Sequence, residues 1–153
     1  MLANKELYLK SGIFGAGLGI GFGTIIGALT GILSANWNGI LFCAIAGFIL
    51  GAPTGALTGA LVVWTTGRTG GVSTGAYTGM VFGAIFGSAL GIFIPNSFRA
   101  SVAALHILVL DVLTQGRFET AILLSFLTSI TATMVGAWIG GRNLKPRDVN
   151  KAA

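Results

Sequence analysis

The chain has 153 residues, a length that suits one domain. Only 8% of them are charged and 54% are hydrophobic, whereas a soluble domain carries about 25% charged residues, so this chain cannot clothe a water-facing surface. Its net charge of +5 does not make a nucleic-acid binder, because the cations stand at the ends of apolar runs and not together on one folded face.

No charged residue lies between Lys10 and Arg68, between Arg68 and Arg99, or between Glu119 and Arg142. Uncharged apolar stretches of about 18 residues or more read as membrane spans. The first runs over 12–34, "GIFGAGLGIGFGTIIGALTGILS". As a helix it is roughly 34 Å long, enough for a hydrocarbon core of ~30 Å. It is longer than a signal-peptide core of ~7–15 residues and no A-x-A site follows it, so it reads as a retained anchor. "ANWN" then forms a turn, with Trp37 at an interface.

The second span covers 39–65 and carries Pro53 near its middle. Proline lacks the N–H that the helix ladder needs, so a kink is expected there. Trp64 marks the far interface, and Arg68 falls in the short turn "TGRTGG". The third span covers 71–94 and stops at Pro95; the fourth covers 119–140, with Trp138 near its end. A basic tail, 141–153, follows.

Residues 98–115 are apolar in the middle and helical in character. If they do not cross, Lys5, Lys10, Arg68, Arg142, Lys145, Arg147 and Lys151 share one side, against Arg99 and Arg117 on the other. If they cross, the cations divide almost evenly and Asp111 enters the bilayer, at about 2.5–3.5 kcal/mol on insertion scales. The positive-inside rule selects the first arrangement. On a helical wheel Val102, Leu105, Val109, Val112 and Leu113 share an arc, while Ile107 and Leu110 fall outside it. The expected fold is therefore an all-α integral membrane protein of one domain. It has four transmembrane helices with glycine-zipper (GxxxG) packing, and one short interfacial or re-entrant helix between spans three and four. Both termini lie on the positive, cytoplasmic-equivalent side.

The zipper expectation rests on glycine spacing. Span one carries Gly15, Gly19, Gly23, Gly27 and Gly31; span two carries Gly39, Gly47, Gly51, Gly55 and Gly59, with Cys43 in the gap. Gly67, Gly71, Gly75, Gly79, Gly83, Gly87 and Gly91 run through the third, and only Gly136 and Gly140 continue a row of Thr128 and Ala132 in the fourth. In water each interior glycine costs ~1 kcal/mol relative to alanine. In lipid the backbone must stay helical, and glycine lets a second helix approach closely, with right-handed crossings near −40°. A fourfold row drifts ~40° per step on a straight helix. The third helix is thus expected to touch different neighbours at its two ends and to sit centrally among spans one to three. The fourth, with Leu123, Leu124, Phe126 and Leu127, is expected to be peripheral and lipid-facing. Repeated phrases, "GALTG" at 27–31 and 55–59 and "GAYTG" at 75–79, fit either duplication or one packing rule used repeatedly.

Chemistry is sparse. His106 is the single histidine; it reads as an interfacial or hydrogen-bonded side chain, with an axial ligand to haem or a chlorophyll-type pigment as the sharper alternative. Asp111 would lie about 140° from it on a helix, so no His–Asp relay is expected. One histidine and one cysteine fall short of a metal site, and no nucleophile–base set or carboxylate pair suggests an enzyme. The G-x-G patterns lie inside spans, outside the strand–turn–helix context of a dinucleotide site. Pro53, between Gly51 and Gly55 with Thr54 and Thr58 nearby, is the candidate for a broken-helix substrate path. The tail cations suit anionic lipid or an acidic partner, at about 1 kcal/mol each beside an anionic leaflet.

The four glycine-rich spans and the phrase "GALTGAL" at 55–61 are similar to the Tim17/Tim22/Tim23 family of protein translocases. The likeness covers spans one to three in packing style. The family's Arg and Asp signature between the second and third helices is missing, since no Asp follows Arg68, and no functional residue is carried over. The reading is a small non-catalytic structural or assembly subunit of a larger membrane complex, or a homo-oligomer, in contact with lipid and needing no cofactor. The alternatives are a small channel, translocase or lipid-handling protein with a glycine-walled path near Pro53, and a pigment or haem holder through His106.

Overall fold

A computed structural model of the chain describes residues 2–32, 37–66, 71–94 and 116–142. Among these residues the structure is all helical, with α1 at Leu2–Ile32, α2 at Trp37–Thr66, α3 at Val72–Phe93 and α4 at Arg117–Gly141. All four are long and apolar enough to cross a membrane. The 98–115 helix, His106, Asp111, Arg68 and the tail beyond Arg142 lie outside the described residues.

α1 begins about ten residues before the expected span. Its first turns are polar, and Lys10 Nζ meets Glu6 Oε1 at 2.7 Å one turn apart, a spacing that supports helix. Ser11 donates to the Leu7 carbonyl at 2.7 Å. At ~1.5 Å per residue α1 is about 46 Å long, more than a ~30 Å hydrocarbon core requires. α2 continues as one α-helix across Pro53, whose ring is exposed; the helix is not broken there.

The bundle is built as two antiparallel hairpins, α1 with α2 and α3 with α4. In the first, Gly15 faces Gly55, Gly19 faces Gly51, Gly23 faces Gly47 and Gly27 faces Cys43. A methyl group at Gly19 would stand 2.8 Å from the Gly55 Cα, and one at Gly23 3.0 Å from the Gly51 Cα. Backbone therefore lies directly on backbone. In the second hairpin Gly75 faces Gly136, Gly79 faces Ala132, Gly83 faces Thr128 and Gly87 faces Leu124. Here the glycines of α3 meet mostly non-glycine residues of α4.

Two expectations are corrected. α3 is not central: its row from Gly75 to Gly91 faces α4 throughout. The drift argument assumed a straight helix, but two helices that wind around each other keep a drifting row in contact. Repeats longer than ~3.6 residues impose the right-handed sense of winding. Nor is α4 peripheral. It packs on α1, α2 and α3 and is the most buried of the four. Leu124 is buried and only Phe126 of the expected lipid-facing group is strongly exposed.

The hairpins meet at one end. Val62 of α2 and Val135 and Ile139 of α4 form a buried cluster, with Phe14, Leu18 and Phe22 of α1 packed against it. Phe22 and Trp138 are 6.4 Å apart between ring centroids. The Arg142 guanidinium sits 4.9 Å over the Phe14 ring, an attraction between the cation and the negative face of the ring.

Candidate functional site: an apolar crevice between the hairpins

At the opposite end the hairpins stand apart and leave a cavity of about 540 Å³. α1 contributes Ile26 and Thr30, and α2 contributes Phe42, Ala46, Leu50 and Thr54. The facing wall is Leu123, Leu127 and Thr131 of α4, with Ile94 just past the end of α3. The closed end is filled by Val62, Val135 and Ile139, while the crevice wall on α2 mixes large residues such as Phe42 and Leu50 with small ones such as Gly47 and Ala46.

The wall is apolar in function as well as composition. Thr30 donates to the Ile26 carbonyl at 2.7 Å, Thr54 to Leu50 at 2.7 Å and Thr131 to Leu127 at 3.0 Å. Thr128 lies 2.6 Å from both the Gly83 and the Leu124 carbonyls, and its single hydrogen serves the two. Each of these hydroxyls thus directs its hydrogen to backbone and not into the cavity. Cys43 is buried in the same wall with a free thiol. Among the described residues no three His, Cys, Asp or Glu side chains gather into a metal-holding group.

Among the sequence-singled glycines, Gly15, Gly19, Gly23, Gly27, Gly31, Gly51, Gly55 and Gly59 are buried in hairpin one. Gly47 is half-buried, at the rim of the crevice. In hairpin two Gly75, Gly79, Gly83, Gly87 and Gly91 are buried. Gly71 is exposed, with only its carbonyl approaching Gly140. Of the glycines singled out, Gly23, Gly27, Gly47 and Gly51 line the crevice together with Thr54. Thr58 is fully buried and donates to the Thr54 carbonyl at 2.7 Å, and Pro53 points away on the exposed side.

Two features escaped the sequence reading. One is the pair Thr128 and Ser129, which reach across to the Gly83 and Met80 carbonyls at 2.6 and 3.1 Å. The other is Gly17 and Gly21 of α1, where an added methyl group would meet nothing within 4 Å. The signal was present in "GAGLGIGFG": glycines at every second residue alternate by about 200°, so they serve opposite faces. Comparison of the chain with protein-family models, with curated proteins and with solved structures gives no match.

Proposed function

We propose that the chain is a non-catalytic integral membrane subunit that helps assemble a larger membrane complex through close glycine-mediated helix packing. Its two internal glycine zippers make a compact bundle, and the outer face of α1 is its docking surface. The observation that supports this is the leftover pair Gly17 and Gly21, open to the outside and flanked by exposed Ile13 and Ile25. A small-xxx-small pair gains nothing against lipid and gains close van der Waals contact against a second helix. α1 is then a helix held at short range on two opposite sides, by α2 and by a partner subunit. Both termini lie on the positive side, in keeping with the cation distribution of the whole chain.

The test is the mass and composition of the particle extracted from native membranes in mild detergent. The expected result is a particle containing other subunits. Replacing Gly17 and Gly21 together by Ile should release the chain as a folded monomer with unchanged thermal unfolding. A double variant that still travels in the native particle overturns the docking role.

A further inference from the structure

We infer that the crevice between the hairpins is a binding site for one acyl chain of a phospholipid, taken from the leaflet at the α1–α2 turn. Depth is the first argument. From Phe42 to Thr54 the α2 wall runs ~18 Å at ~1.5 Å per residue, about the half-thickness of a ~30 Å hydrocarbon core. It starts little more than a turn inside Trp37, which is 75% exposed at the helix start and suits a headgroup-level aromatic.

Chemistry is the second argument. The hydroxyls of Thr30, Thr54, Thr128 and Thr131 direct their hydrogens to carbonyls. Among the described residues no charged side chain lines the cavity, so its wall favours an apolar occupant. Apolar cavities stay dry, and an empty one forfeits dispersion contacts along its whole lining. The third argument is closure. The cluster of Val62, Val135 and Ile139 fills the bundle below the crevice, so among the described residues the slot is closed at that end. A slot one leaflet deep holds a single tail and leaves the headgroup at the surface.

The wild-type chain in nanodiscs of phosphatidylcholine carrying a diazirine midway along one acyl chain tests this directly. Photolabelled residues are mapped by peptide mass spectrometry. Ala46, Leu50 and Leu127 should be labelled roughly tenfold more than outward-facing Ile25 and Ile85, the ratio that a preference of about 1.4 kcal/mol for the site gives. Ala46→Phe should bring crevice labelling down to the outward level, while Ile85→Phe leaves it unchanged. Equal labelling at all these residues would show annular lipid alone and overturn the site. So would crevice residues that escape lipid but crosslink to residues 98–115 of the chain or to another protein. Labelling by a diazirine fatty acid and not by the phospholipid overturns the choice of ligand.

Discussion

The two hairpins solve one packing problem in two ways. In hairpin one glycine faces glycine, and the backbones of α1 and α2 touch with no side chain between them. In hairpin two the glycines of α3 also lie on backbone, that of α4 at Leu124, Thr128, Ala132 and Gly136. Only one of the two helices is thus mostly glycine at the contact, and Thr128 and Ser129 add hydrogen bonds across the gap. The difference follows from what each helix must do on its other faces. α4 also packs on α1 and α2, so it carries Val135 and Ile139 for that contact. Glycine on both helices is thus one way to bring backbone onto backbone, and glycine on one helix is another.

The largest effect should come from hairpin one. Gly19→Ala would place its methyl 2.8 Å from the Gly55 Cα, with only backbone to move aside. The expected loss is about 3 kcal/mol, the upper range of overpacking, read as a lower unfolding temperature in detergent. A loss near zero would mean the backbones are not held in contact. Thr128→Val tests hairpin two. It keeps the side-chain shape and removes the hydroxyl, so the expected loss is about 0.6–1.7 kcal/mol, the range for hydrogen bonds between membrane helices. An unchanged unfolding temperature would leave hairpin two held by close backbone packing alone. Gly17→Ala should give the smallest change, a gain of no more than ~1 kcal/mol from helix propensity in the isolated chain. Two residues from Gly19 on the same helix, it separates the crowded face of α1 from the open one.

Much of this architecture could be read from the residues. Charge-free runs bounded by Lys10, Arg68, Arg99, Glu119 and Arg142 place four helices within a few residues of where they lie. The exception is the start of α1, where the span is expected to begin at 12 although residues 2–11 are helical. Partner choice was not legible, because a fourfold row declares a close approach without saying to whom. α4 illustrates the point. Thr128, Ala132, Gly136 and Gly140 were visible as a row, but only two of its members are glycines, and that did not mark it as the face α3 would meet. Gly51 and Thr54, singled out beside Pro53, do line the crevice, but its facing wall on α4 had no sequence signal, since it arises from the divergence of two finished hairpins. Local spacing carries no information on that divergence.

The pairing in hairpin one has a further consequence. Gly15 with Gly55, Gly19 with Gly51 and Gly23 with Gly47 are interchangeable rungs. Sliding one helix by four residues, ~6 Å, would set glycine against glycine again, so these three rungs do not choose among alignments. Hairpin two is a vernier with unlike marks, because Leu124, Thr128, Ala132 and Gly136 stand opposite successive glycines and Thr128 bonds to Gly83. What marks the alignment of α1 on α2 is therefore the set of unlike contacts beyond the rungs, Cys43 against Gly27 and Phe14, Leu18 and Phe22 on the Val62 cluster. Without them the first hairpin would be free to settle one rung out of step.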